Sequence, residues 1–173
     1  MKQIIFFACI FVPMLVSAGN RFKNWDELQY EITSDSTVSV VWCSETKKGV
    51  IDLRSIVTYN GRAYKVTSIN SNVFEFHKYI TKVLIPNSVK SISKYLFNYC
   101  PELKSVEIPN SVRIIGVQAF SFCSSLRDIT IPNSVISIGA YAFLSCKSLS
   151  SIFIPNSVKS IDRCAFQGCI NLT

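Results

Sequence analysis

The stretch Ile85-Pro86-Asn87-Ser88-Val89 decides the fold, because it returns three more times at a fixed step of 23 residues. The later copies begin at Ile108, Ile131 and Ile154. Four further columns keep the same step: Ile92, Ile115, Ile138 and Ile161; Phe97, Phe120, Phe143 and Phe166; Cys100, Cys123, Cys146 and Cys169; and Leu103, Leu126, Leu149 and Leu172. Apolar columns in register at such a period predict a stacked solenoid with these side chains as its core ladders.

A weaker copy of the unit precedes the four clear ones. Val66, Ile69 and Phe74 stand one step before Val89, Ile92 and Phe97, while His77 takes the cysteine position. We therefore expect one divergent coil at 62–84, then four recognisable coils up to residue 173, the last of them incomplete.

Each coil is expected to be rich in β-structure. In the second clear coil, alternation of apolar and polar residues over 103–108 predicts a short strand that the following proline ends. Asn110 and Ser111 predict a turn held by side-chain-to-backbone hydrogen bonds. Residues 112–115 predict a second extended piece, and the segment around Phe120 predicts a helical or 3₁₀ turn. The expected fold is a right-handed, leucine-rich-repeat-like stack of short strands and short turns.

The repeat resembles the unit of the BspA-like leucine-rich repeat proteins, which occur on bacterial and some protozoan surfaces. One coil matches the family pattern residue by residue: Leu126, Ile129, Ile131, Pro132, Ser134, Val135, Ile138, Gly139, Ala142, Phe143 and Cys146. The resemblance covers about Tyr59 to Thr173, with Ser93 and Asp162 in place of the family's glycine and Leu96 in place of its alanine. It implies a secreted or cell-surface protein that binds host matrix proteins or other cells.

The first eighteen residues read as a secretory signal peptide. Lys2 gives a positive start, 4–16 is almost wholly apolar, and Val16-Ser17-Ala18 supplies small residues for cleavage after Ala18. The competing interpretation is a buried N-terminal strand or helix. The apolar run is short for a membrane span, so we expect a secreted or surface-held mature chain with no transmembrane segment.

Residues 19–61 show no repeat and are expected to form a small β-rich cap over the first coil. Val38, Val40 and Trp42 alternate with less apolar neighbours, as in a strand. Asn60-Gly61 between two apolar runs predicts a tight hairpin. The rival interpretation is an independent binding module, but two tryptophans buried in a cap would need no ligand to explain them.

The seven cysteines and one histidine offer little chemistry. The cysteine column is read first as small buried free thiols. A disulfide, for which Cys164 with Cys169 or Cys100 with Cys123 are the candidates, is the alternative. No Cys-x-x-Cys pair, phosphate loop or His-Glu-x-x-His motif occurs, so we expect no metal, no cofactor and no enzyme.

Two variable columns remain as candidate ligand-facing surface. Lys90, Arg113 and Lys159, with Ile136 between them, form a basic column that could meet an acidic protein or a glycan. The plainer interpretation is that these charges only keep the sheet soluble. The second column is expected on the exposed strands and contains Leu84, Glu107, Thr130 and Phe153. Phe153 is an outward aromatic and a possible contact anchor. The net charge of +7 is spread singly, which disfavours nucleic acid.

The predicted function is a non-catalytic protein-binding or adhesion scaffold with a host matrix protein, a cell-surface protein or a glycan as partner. The alternative is a structural or truncated repeat fragment with no ligand of its own, or part of a larger surface protein. The coil that stops at Thr173, without a following strand or polar cap, motivates that alternative.

Overall fold

The structure is a computed structural model that describes residues 20–24 and 27–173. The predicted signal peptide and Trp25 lie outside the described residues. Thirteen strands and no helix occur in the described part of the chain. They are β1 (Arg21–Lys23), β2 (Leu28–Ser34), β3 (Thr37–Cys43), β4 (Gly49–Asp52), β5 (Ile56–Tyr59), β6 (Arg62–Ile69), β7 (Ile80–Leu84), β8 (Ser91–Ile92), β9 (Ser105–Glu107), β10 (Ile114–Ile115), β11 (Asp128–Ile129), β12 (Ser137–Ile138) and β13 (Ser160–Ile161).

The N-terminal part is a five-stranded sheet in the order β1-β2-β3-β6-β5. Its hairpin between β5 and β6 turns on Asn60 and Gly61, whose φ angles of 49° and 73° suit a two-residue turn of the primed type. The Phe22 ring packs between Tyr30 and Tyr59, at centroid distances of 5.4 and 4.4 Å. Aromatic packing thus contributes to the core of this sheet.

Trp42 is 39% exposed, which corrects the expectation that it is buried. The alternation along β3 is interrupted, since Val38, Ser39 and Val40 are all buried in succession. Register shifts occur in the pairing of β3 with both β2 and β6. A bulge changes which face the following side chains occupy, so Cys43 points inward and Trp42 outward.

Strands before residue 61 pair with strands after it, and this occurs in both sheets concerned. β6 lies beyond it and completes the N-terminal sheet, whereas β4 lies before it and pairs in parallel with β7 of the repeats. The residues before and after 61 are therefore joined by backbone hydrogen bonds. The division into a cap at 19–61 and repeats at 62–173 stays a prediction.

The repeats stack through two parallel sheets of four strands each, ordered β11-β9-β7-β4 and β13-β12-β10-β8. Their register follows the sequence step of 23, as in the pairs Ile92 with Ile115 and Ile115 with Ile138. Between the sheets, the rings of Phe74, Phe97, Phe120, Phe143 and Phe166 stack in one column with centroids 5.2 to 5.4 Å apart. This leucine-rich-repeat-like fold is strand-rich, with its core between the strands and a wall of turns.

Hydrogen-bonded turns occupy the segments expected to be helical or 3₁₀. They lie at 71–76, 94–99, 117–122, 140–145 and 163–168, and we call them the turn wall. In the repeat around Phe120, both Gln118 and Phe122 have positive φ angles, of 52° and 59°. A left-handed residue at every fourth position breaks a right-handed helix. The backbone amide of Phe120 donates instead to the backbone carbonyl of Ala142 in the next repeat, with 2.8 Å between nitrogen and oxygen. The turn wall thus bonds between repeats, as a strand does.

The serine of the repeated pentapeptide also bonds between repeats. Ser111 donates its hydroxyl to the Val89 carbonyl, and Ser134 to the Val112 carbonyl, each at 2.6 Å. The turn itself closes through the backbone, with the Val112 amide 3.0 Å from the Pro109 carbonyl. The serine hydroxyl therefore fastens a repeat to the preceding one, where the sequence predicted a bond within the turn.

Candidate binding surface

The structure brings the predicted basic column together on the surface. Lys90, Arg113, Ile136 and Lys159 are all exposed. The backbone amides of Arg113, Ile136 and Lys159 each donate to the carbonyl of the column residue one repeat earlier, at 2.8 to 2.9 Å. The stem of each side chain therefore starts one repeat spacing from the next. Three cations lie in one row that an apolar isoleucine interrupts.

Phe153 is 74% exposed, but the structure does not place it in the strand column assumed for it. Leu84 pairs with Glu107 in β7 and β9. Among the described residues the ladder ends at Ile129 in β11, so no strand pairing sets Phe153 beside Thr130. Phe153 is an isolated exposed ring, and its role as a contact anchor stays a prediction.

The cysteine column is buried against the backbone of neighbouring repeats. The six described cysteines are free thiols. Sγ of Cys100, Cys123, Cys146 and Cys169 donates to the carbonyls of Phe74, Phe97, Phe120 and Phe143, at 2.9 to 3.1 Å. Each thiol accordingly satisfies a phenylalanine carbonyl inside the turn wall. Cys164, one of the disulfide candidates, is exposed.

Burial changes how these thiols titrate. Desolvation, with the thiol of Cys100 beside it, raises the pKa of Cys123 well above the ordinary value. A hydrogen bond to Cys169 and burial raise the pKa of Cys146. The same bond stabilises the ionised Cys169 and lowers its pKa to about 7. The column is a packing feature of the interior, since each of its thiols hydrogen-bonds the backbone of the preceding repeat.

His77 joins the first repeat to the N-terminal sheet. Its side chain is buried, with Nδ1 3.2 Å from the Glu75 carbonyl and Nε2 3.2 Å from the Ser44 carbonyl. Its ring meets Phe74 edge-on at 5.9 Å. The larger imidazole thus reaches a carbonyl that a cysteine at this position would not, and both ring nitrogens face backbone oxygen.

A row of aromatic residues outside the core was not predicted. Phe76, Tyr99 and Phe122 stand 23 residues apart, two positions after the buried phenylalanine column. Their rings stack outside the core, with centroids 5.4 and 4.3 Å apart. The repeated aromatic at this step was the signal that could have revealed the row. We call these three residues the outer aromatic row.

The outer aromatic row occupies a backbone position that disfavours bulky side chains. Phe76, Tyr99 and Phe122 have φ angles of 62°, 57° and 59°, in the left-handed region. Ser145 and Gly168 hold the same position in the next two repeats, also with positive φ. Glycine adopts this conformation freely, whereas other residues incur a cost of roughly 1 kcal/mol or more. The fold itself therefore does not require aromatic rings here.

Two other properties bear on the kind of site that the described residues could form. No group of three or more histidine, cysteine or acidic side chains among them is placed to hold a metal ion. No helix long and apolar enough to cross a membrane occurs in the described ranges.

Solved structures of similar proteins share this fold. A leucine-rich repeat protein from Bacteroides ovatus is 29% identical, with a TM-score of 0.72 over 85% of this chain and 45% of its own. The T. pallidum leucine-rich repeat protein is 30% identical, with a TM-score of 0.76 over 87% of this chain and 68% of its own. A leucine-rich cell-surface protein from Faecalibacterium prausnitzii is 25% identical, with a TM-score of 0.61 over 91% and 54%. The chain thus spans about half the length of two of these relatives.

A family profile confirms the resemblance drawn from the sequence. A search of curated protein sequences gave no match. The profile of the BspA type leucine-rich repeat region matches residues 53–173 in six copies, beginning upstream of the first coil predicted at residue 62. With that match over more than half of its length, the chain belongs to the BspA-type leucine-rich repeat family.

Proposed function

We propose that the chain is a secreted or cell-surface scaffold that binds other proteins through its repeats and catalyses no reaction. The observation that carries the proposal is the exposed basic column on adjacent repeats, held at a fixed spacing by backbone hydrogen bonds. Three cations in one row suit an acidic protein or an acidic glycan. Family membership supports the surface location, as does the name of the F. prausnitzii relative, a cell-surface protein.

Binding of matrix and cell-surface proteins tests this proposal. The chain is immobilised and exposed to such proteins, with a variant carrying Lys90→Glu, Arg113→Glu and Lys159→Glu in parallel. We expect the variant to bind about tenfold or more weakly, which corresponds to about 1.4 kcal/mol of binding free energy. The loss should concern the association rate most, because rim charges chiefly steer encounter.

The matched control changes three exposed lysines that share no column, by Lys65→Glu, Lys94→Glu and Lys147→Glu. Both variants alter the net charge equally, so a loss confined to the column variant assigns the effect to the column. Equal losses in the two variants would show that the effect comes from the net charge of the chain and not from the basic column. Retention of none of these proteins would favour the alternative of a structural repeat segment or a part of a larger surface protein.

A further inference from the structure

A groove lies beside the outer aromatic row. It has a volume of about 580 Å³ and extends over three repeats. Phe76, Tyr99 and Phe122 line it, together with Tyr79 and Pro101. Phe76, Tyr99 and Tyr79 are 61%, 43% and 53% exposed, whereas the inward column of Phe74, Phe97 and Phe120 is fully buried. The groove is a concentrated apolar surface open to solvent.

The stacking of the row decides which part of each ring a ligand meets. Tyr99 lies between Phe76 and Phe122, at interplanar angles of 26° and 13°, so both of its faces are covered. Its exposed part is therefore the ring edge. Ring edges carry partial positive charge and attract the faces of other aromatic rings. A sugar would need an open ring face, which the central position does not offer.

Charged side chains that line the groove also set which sign of charge a ligand should carry. Lys48 and Lys78 line the groove with Glu102, so cations outnumber anions. The Lys48 ammonium stands 5.2 Å from the centroid of the Tyr79 ring. Positive ring edges together with two ammonium groups favour an aromatic group flanked by carboxylates.

The dimensions suit an extended chain. The three ring centroids lie about 4 to 5 Å apart, so the row is about 10 Å long. An extended peptide covers that length with about three residues. We propose that the groove binds an extended acidic peptide segment that carries an aromatic side chain. This inference deepens the proposed function, since it names a class of protein segment that the scaffold would recognise.

A fluorescent peptide measures this binding directly. The probe is a labelled Glu-Glu-Trp-Glu-Glu peptide, titrated with the whole chain and followed by fluorescence anisotropy. We expect saturable binding that weakens as salt is raised. Replacement of the peptide's tryptophan by alanine, or of its four glutamates by lysine, should weaken binding about tenfold or more.

Substitutions in the row locate the site. The double variant Phe76→Ser, Tyr99→Ser introduces the residue that Ser145 already supplies at this position, and should weaken peptide binding about tenfold while the thermal midpoint is kept. The control is Ile170→Ser, which removes another exposed apolar side chain away from the groove and should leave binding unchanged. Lys48→Glu with Lys78→Glu should also weaken binding.

Several results would overturn the inference. These are no saturable binding of the peptide, equal binding of the lysine peptide, or unchanged affinity in the Phe76→Ser, Tyr99→Ser variant. Dimerisation in sedimentation that this variant abolishes would assign the groove to a second copy instead. Binding of neutral oligosaccharides that the same variant abolishes would assign it to a glycan. The Lys90→Glu, Arg113→Glu, Lys159→Glu variant should still bind the peptide, so failure of the basic column and failure of the groove are told apart.

Discussion

At the scale of the residue, the buried thiol of Cys123 makes the stability of the fold depend on pH. The pKa of Cys123 is raised by burial, so the thiol stays protonated in the folded chain while it ionises in the unfolded chain above about pH 9. The folded state then binds more protons, and stability falls as the pH rises. Its contribution is complete below about pH 9 and is lost above it, by about 1.4 kcal/mol per pH unit.

Urea unfolding between pH 9 and pH 10.5 measures this slope. Cys123→Ala removes the titrating group, so the fall of the unfolding free energy with pH should become shallower by about 1.4 kcal/mol per pH unit. Cys164→Ala removes an exposed thiol and should leave the slope as in the parent. Identical slopes in parent and Cys123→Ala would contradict the raised pKa.

Close approach of neighbouring turns governs stability at the scale of the element. A Cβ on Gly139 would stand 2.8 Å from the backbone nitrogen of Val117 and 2.9 Å from the backbone carbon of Gly116. Neither atom belongs to a flexible side chain that could move aside. Gly139→Ala should therefore lower the unfolding free energy by about 1 to 3 kcal/mol, measured by urea denaturation.

The same position of the last repeat provides the control. Asp162 already carries a Cβ there and is exposed, so Asp162→Ala should change stability by less than about 0.5 kcal/mol. A Gly139→Ala variant as stable as the parent would show that adjacent turns separate readily at this point.

The strands of the repeats were predictable because their signal is periodic. Ile115 pairs with Ile92 and Ile138 in the register that the 23-residue step requires. The Asn60-Gly61 turn was equally predictable, since few residue pairs suit two positive φ angles. In both cases, local preference and stacking agree.

The turn wall and the left-handed backbone of the outer aromatic row were not predictable in this way. Tyr99 and Phe122 carry no local signal for positive φ, and only Gly168 in that column has one. Bonds between repeats hold the left-handed residues in place, and such bonds are invisible in a single coil. The basic column was predicted from the 23-residue spacing of its members. The groove was not, because it depends on which side of the turn wall the side chains face.

At the scale of the whole molecule, each repeat depends on the next one for its hydrogen bonds. The amides of Phe97 and Phe143 donate to Ala119 and Ala165 respectively, each at 2.8 Å. Chains of this kind open in units, and a unit with fewer neighbours opens more readily. The last repeat is the least covered, since Ile161 and Ile170 are 48% and 74% exposed. Opening should therefore begin there and proceed toward the N-terminal sheet.

Native-state hydrogen exchange of the 173-residue chain tests this order. The Phe143 amide should exchange about tenfold or more faster than the Phe97 amide, although both bonds have the same length. Phe166→Ala removes the ring that stacks on Phe143 at 5.2 Å and should widen the difference by speeding exchange at Phe143 alone. Equal protection at both amides, and an equal response to the substitution, would instead indicate that the repeats and the N-terminal sheet open as one cooperative unit. The contrast is informative because the ends of such a stack differ: His77 and the N-terminal sheet cover the first repeat through buried contacts, and the last repeat has no equivalent cover among the described residues.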